Sequence, residues 1–278
     1  MKKTKIIGEI GINHNGDIEI AKQLILVAKA AGCDYVKFQK RNPDVCVPEE
    51  QKSKMRQTPW GEITYLEYKW KTEFGETEYD EIDRFCKEVG IQWFASVWDK
   101  TSVDFMMKYK TDLGITMKIP SALITDTELC EYAKEKSDYL MISTGMSTEE
   151  EITLCMDSCD PQVVMHTNST YPCPVNELNL NYITWLKEKY PEKEIGYSGH
   201  EYGLVTTFAT IPMGVKWVER HITLDRGMWG SDQSASIEPS GLFKLVKGIR
   251  DIENALSIPM NPRELFGGEL SKMKSLRK

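Results

Sequence analysis

The sequence predicts an α/β protein built as one domain, a (β/α)8 TIM barrel. Three observations lead there. Apolar, strand-length runs alternate with helix-length amphipathic stretches along the whole chain, and eight such runs are found. Their downstream ends collect polar and titratable residues, as the catalytic mouth of a barrel does. The length, 278 residues, suits a fold that needs roughly 250. A doubly wound open sheet is the alternative, because periodicity does not report closure. No GxGxxG follows any strand, which counts against a dinucleotide-binding sheet.

The expected strands are 4–10 (TKIIGEI), 34–39 (DYVKFQ), 91–96 (IQWFAS), 115–119 (ITMKI), 138–143 (DYLMIS), 162–166 (QVVMH), 194–198 (EIGYS) and 215–221 (VKWVERH). Each is a short apolar run bounded by polar or turn-forming residues. Helical spacing fits 18–31, 77–88, 126–136 and 176–189. The stretch 148–158 opens with Ser147-Thr148 ahead of Glu149–Glu151, a capping-type start. A last helix, 239–255, follows the eighth strand. Residues 40–76, between the second strand and its helix, are rich in prolines, aromatics and charges. A connection that long inside a compact domain reads as a substrate-side lid or an interface segment. The catalytic barrel is therefore assigned to 1–256. Residues 257–278, with two prolines, a Gly-Gly pair and a basic end, read as a short docked or frayed tail.

Composition narrows the class. Hydrophobic residues at 41% and charged ones at 28% describe an ordinary globular protein. A net charge of −7 argues against a nucleic-acid surface, which would be basic. No run of about 18 apolar residues exists to span a membrane. The start MKKTKIIGEI carries Glu9 and no cleavable apolar stretch, so a cytoplasmic protein is expected. Seven cysteines without a CxxC pair read as reduced, packed thiols, Cys155 and Cys159 included.

All four histidines (His14, His166, His200, His221) close apolar runs. Beside them stand Glu9, Lys37 and Gln39, Ser96, Lys118 and Ser121, Ser143, the segment His166–Tyr171, Ser198, and Glu219. Lys37 and Gln39 are two apart on a strand and so share a face. Two lysines, several serines and the turn STGM would hold a phosphate or carboxylate. His200 and His221, on neighbouring strands, could share one divalent metal with open positions. Glu9 and Asp232 are carboxylates for acid/base or hydroxyl-binding work. The plainer alternatives are that Lys37 and Lys118 are rim lysines paired with Glu9 or Glu219, that Ser96 and Ser121 only form loops, and that His166 caps a turn.

These residues resemble one known family, the sialic acid (nonulosonate) synthases. The matching stretches are EIGINHNG (9–16), VKFQK (36–40), KIPSA (118–122), STGM (143–146), NSTYPCP (168–174), GYSGH (196–200) and ERHITLDR (219–226) with GSD (230–232) behind it. The resemblance covers nearly the whole chain in family order. It implies a transferase of sialic acid biosynthesis, an N-acetylneuraminate synthase-like enzyme. Such an enzyme condenses phosphoenolpyruvate with an open-chain N-acyl hexosamine such as N-acetylmannosamine, giving a nonulosonic acid and phosphate. It further implies Mn²⁺ or Mg²⁺ on His200 and His221. Lys37, Ser96, Lys118, Ser121, Ser143, Ser169 and Ser198 would line the phosphoenolpyruvate pocket. Glu9, Gln39, Tyr171 and Asp232 would face the sugar or the attacking water, and a homodimer is expected.

The chain departs from the family on the sugar side. Family members commonly carry a C-terminal antifreeze-like domain that supplies an arginine to a neighbouring subunit's sugar site. This chain is expected to lack it, with Arg56 or Arg226 as candidate substitutes. The loop Thr58-Pro59-Trp60-Gly61 is aromatic where the compared enzymes have a small polar residue. Asn168 and Ser169 compete for one pocket position, and ungapped register favours Ser169. Two other readings stay open. One is a keto-deoxy-sugar synthase acting on another or a phosphorylated aldose, which would want extra arginines at the sugar end. The other is a non-catalytic barrel that binds phosphoenolpyruvate or a sugar.

Overall fold

The computed structural model describes residues 3–258 and 262–277. Eight parallel strands close into a barrel: β1 (Lys5–Gly11), β2 (Tyr35–Lys40), β5 (Gln92–Val97), β6 (Thr116–Ile119), β7 (Tyr139–Ser143), β8 (Val163–Thr167), β9 (Glu194–Gly199) and β10 (Trp217–His221). Closure comes from β1, which pairs with both β2 and β10. All eight expected strands are present, four of them shifted downstream by one residue and the others differing at one end only. Closure excludes the open-sheet alternative.

Around the barrel run α1 (Ile18–Ala31), α5 (Glu76–Val89), α6 (Lys100–Met106), α7 (Thr127–Lys136), α8 (Glu149–Cys159), α9 (Asn181–Lys189), α10 (Val205–Thr210) and α11 (Pro239–Ala255). Local chemistry sets their ends. Asp17 caps α1 by accepting from the Glu19 and Ile20 amides, and Gly32 ends it in the left-handed region. Thr148 and Glu151 form a reciprocal capping box at α8. The expected helix 176–189 begins only at Asn181. Asn179 is left-handed (φ 44°) and breaks the run, leaving one 3-10 turn ahead of it.

The 40–76 insertion is ordered. It holds the short helices α2 (Pro43–Cys46) and α3 (Glu49–Lys52), an antiparallel hairpin of β3 (Met55–Thr58) and β4 (Gly61–Thr64), and α4 (Tyr65–Lys71). Asp99 ties it to the barrel, accepting from the Asn42 amide at 2.6 Å while capping α6. In the tail, α12 (Gly267–Leu276) is largely exposed; residues 259–261 and 278 lie outside the described residues. No helix among the described residues is long and apolar enough to cross a membrane.

Two apolar clusters hold the fold. The larger one packs strands against helices. Cys130, Cys155 and Cys159 sit in it, with Sγ–Sγ distances of 3.8 Å from Cys155 to each of the other two. The smaller fills one end of the barrel bore with Ile7, Tyr35, Phe94, Met141, Val163, Met165 and Trp217.

Candidate active site

Strand alternation builds the site directly on that apolar floor. Two residues on from Ile7, Tyr35, Phe94, Met141, Met165 and Trp217, on the same face of each strand, come Glu9, Lys37, Ser96, Ser143, Thr167 and Glu219. Register aligns them: Glu9 lies beside both Lys37 and His221, Ser96 beside Lys118, and Glu219 beside Ser198. A cleft of about 290 Å³ opens above this layer at the C-terminal ends of the strands. Glu9, Lys37, Gln39, Ser96, Lys118, Ser121, Ser143, Ser169, Tyr171, Ser198, His200, His221 and Asp232 all line it.

Four alternating charges form the base. Lys37 Nζ lies 2.9 Å from Glu9 and 3.7 Å from Glu219, and it donates to Ser96 Oγ at 2.7 Å. Lys118 Nζ donates to both Glu219 oxygens, at 2.8 and 2.9 Å. Ser198 donates to Glu219 at 3.1 Å, and Gln39 to Glu9 at 3.2 Å. Every one of these charges is at most 3% exposed. Burial alone would neutralise them. It lifts the Glu9 carboxyl above its ordinary value, with Lys37 opposing. Glu219 behaves differently: burial pushes up, but Lys118 and Lys37 together win and hold it down at about 2. On Lys37 burial pulls down, yet Glu219 and Glu9 carry it upward. On Lys118 burial and the Lys37 charge prevail over Glu219, so its ammonium gives up a proton more readily. The ion-pair alternative and the cleft reading thus describe the same side chains.

His200 and His221 approach with ring centroids 5.3 Å apart. His200 Nδ1 donates to the Asn168 carbonyl at 2.6 Å, which leaves the lone pair on Nε2. Burial, then the neighbouring His221, lowers its pKa to about 3, so the imidazole stays neutral. His221 Nδ1 is buried without a hydrogen-bond partner, and Asp232 Oδ2 stands 3.8 Å from it. Two imidazoles side by side, one with an orphaned nitrogen, suit a divalent cation that keeps further positions open. Tyr171 stacks on His200 at 4.0 Å and meets His221 edge-on at 5.6 Å. His14 and His166 do other work. His14 Nδ1 accepts from the Gly16 amide and its ring stacks on Phe74, whereas His166 Nε2 reaches the Leu178 carbonyl.

The serines converge at Gly145 of the STGM turn. Its amide donates to Ser121 Oγ at 3.1 Å, and a Cβ there would lie 2.3 Å from Ser169 Oγ and 2.9 Å from Ser121 Oγ. Ser169 lines the cleft, while Asn168 is held in its own turn by Thr170 and Glu177.

Neither candidate arginine substitute lines the cleft. Arg226 is turned to Glu238, at 3.4 Å, and Arg56 stacks on Tyr65 at 4.3 Å in a neighbouring pocket. Arg41, just past β2, and Lys69, on α4, line it instead. Sequence reasoning singled out neither, and it considered Glu219 only as a possible ion-pair partner of the rim lysines. A charged residue two positions before His221 was the available signal for Glu219. For Lys69 there was none, since α4 is placed by tertiary packing.

Comparison with known proteins agrees with this geometry. The model of the NeuB family matches residues 24–259. Human N-acetylneuraminate-9-phosphate synthase is 35% identical over 260 residues, covering 91% of this chain and 71% of that protein. N,N'-diacetyllegionaminic acid synthase of Campylobacter jejuni is 34% identical over 266 residues, 92% of this chain and 78% of that one. Among solved structures, the N-acetylneuraminic acid (sialic acid) synthetase of Leptospira borgpetersenii, in complex with citrate, superposes with a TM-score of 0.84 at 27% identity. That match covers 100% of this chain and 93% of that one.

Proposed function

The chain belongs to the NeuB family and is a carbon–carbon bond-forming synthase; on that premise we propose that it condenses phosphoenolpyruvate with an open-chain N-acyl hexosamine. The products are a nonulosonic acid and inorganic phosphate. The mid-barrel ring supports this most: Lys37 and Lys118 with Ser96, Ser121, Ser143, Ser169 and Ser198, facing one cleft above an apolar floor. Such a ring holds phosphate and carboxylate groups by charge-assisted and hydroxyl hydrogen bonds.

His200 and His221 would hold Mn²⁺ or Mg²⁺, which supplies Lewis acidity toward the acceptor's aldehyde oxygen. Lys37, Lys118 and the serines fix phosphoenolpyruvate so that its C3 faces the aldehyde carbon. C3 attacks, the new C–C bond forms as the aldehyde's C=O π pair moves onto its oxygen, and positive charge develops at C2; that oxygen ends with the proton that Glu9 takes from water, and the second water proton leaves with phosphate. Water adds to C2 and gives its proton to Glu9, whose raised pKa makes it a better base. The C2–O bond then breaks and phosphate leaves. Glu219, paired with both lysines, holds them in position beneath the cleft. Gln39, Tyr171 and Asp232 face the acceptor, with Tyr171 stacked so as to cover the imidazoles.

The test is phosphate release. It should require phosphoenolpyruvate, an amino-sugar aldehyde and a divalent metal, and EDTA should abolish it. His221→Ala should remove turnover while circular dichroism stays that of the wild type. Turnover at the wild-type rate in that variant would sink the metal assignment. Binding of phosphoenolpyruvate without turnover on any aldose would favour a non-catalytic barrel.

A further inference from the structure

Away from the cleft, three thiols meet between α7 and α8, in the layer where helices pack on the barrel wall. Cys155 and Cys159 are four residues apart and so share one face of α8. Cys130 faces them from α7, 25 positions before Cys155 in the chain. Cys155 Sγ lies 3.8 Å from each of the other two sulfurs, and all three lie within 4.8 Å of one another. Among the described residues they are the one group of three histidine, cysteine or acidic side chains whose donor atoms converge so closely. Each is a free thiol and at most 1% exposed.

Packing alone does not call for sulfur three times over. A buried cysteine behaves as a small apolar side chain, and an alanine would fill nearly the same space with no thiol to satisfy. These thiols have weak partners. Cys159 donates to the Cys155 carbonyl at 3.2 Å, while Cys130 stands 3.8 and 3.9 Å from the Leu123 and Ile124 carbonyls. A cation about 2.3 Å from each of three thiolates, in tetrahedral directions, holds the sulfurs about 3.8 Å apart. That is the spacing found around Cys155. Lys134, one turn beyond Cys130, donates to the Asp160 carbonyl at the C-terminal end of α8, at 3.0 Å. Its charge offsets the single negative charge that three thiolates and one divalent ion leave behind.

We propose that Cys130, Cys155 and Cys159 form a structural site for a thiophilic d¹⁰ cation of the Zn²⁺ class, distinct from the histidine pair in the cleft. Thiolate sulfur selects such ions over Mg²⁺ and Mn²⁺, which suit oxygen ligands. On binding, each sulfur exchanges its S–H bond for a bond to the metal; the three protons pass to solvent and no electron moves. The ion pins α7 to α8, the helices that follow the strands carrying Lys118 and Ser143.

The test uses Cd²⁺, a d¹⁰ ion whose bonds to thiolate give an ultraviolet charge-transfer band, added to the full, reduced chain as it refolds from urea. An imidazole site gives no such band, so the cleft does not contribute. Wild type should take up one thiolate-bound Cd²⁺ per chain. Zn²⁺ should displace it, and excess Mn²⁺ should not. Cys130→Ser and Cys155→Ser should each lose the band, whereas Cys86→Ser, at a buried thiol on α5, should keep it. Circular dichroism reports folding in every case, and if one serine variant fails to fold the other still decides. A folded, reduced wild type without the band, a band that survives either substitution, or one that Mn²⁺ removes overturns the site.

Discussion

Replacing Glu219 by Gln removes one negative charge from beneath the cleft and leaves two buried lysines facing Glu9 alone. The native carboxyl is held at about 2 against an ordinary 4.5. At about 1.36 kcal/mol per pH unit, that difference corresponds to about 3 kcal/mol of stability at pH 7. Breaking a buried pair by removing one partner costs about 3–5 kcal/mol, the same scale. Lys118 makes 3 kcal/mol a ceiling for the pair, because burial and Lys37 still press its ammonium down. The folded pKa is depressed, so the contribution is complete above the unfolded value and fades as pH falls from 4.5 toward 2. At pH 3 the unfolded carboxyl is protonated and about 1 kcal/mol remains. Urea unfolding of wild type and Glu219→Gln, followed by tryptophan fluorescence at pH 7 and pH 3, measures both gaps. A gap under about 1 kcal/mol at pH 7, or one that does not narrow at pH 3, would refute the charge quartet as the origin of the effect.

Gly145→Ala should fold, since its φ is not in the left-handed region, yet its methyl would displace Ser121 and Ser169; steady-state kinetics should show a loss of about a hundredfold or more in kcat/KM, with little change in Tm. Mn²⁺ at a hundred times its Kd should stabilise wild type by about 2.7 kcal/mol, read as a thermal shift that His221→Ala abolishes.

Much of the barrel and its inner ring was legible because both follow from local periodicity. An apolar run ending in a polar residue marks a strand and its catalytic end, and the two-residue period puts Lys37 and Gln39 on one face. Ser96, Lys118, Ser143 and Ser198 emerge in the same way, one strand at a time. Partnership is another matter. Lys118 and Glu219 are separated by 101 positions in the chain, and nothing in either strand says which neighbour closure will supply. Arg226 looked as available as any arginine until Glu238 was placed beside it.

By itself the sequence determined where each strand-length apolar run gives way to polar and titratable residues, that Lys37 and Gln39 share a face, and which motifs crowd the mouth. Each of those depends on a few consecutive residues and the fixed geometry of a strand. Only the tertiary structure decided that the sheet closes, that two lysines and two glutamates neutralise one another, and that α4 carries Lys69 to Arg41. Those outcomes depend on which distant segments share a low-dielectric space, where a charge is settled by its neighbours rather than by its own position in the chain.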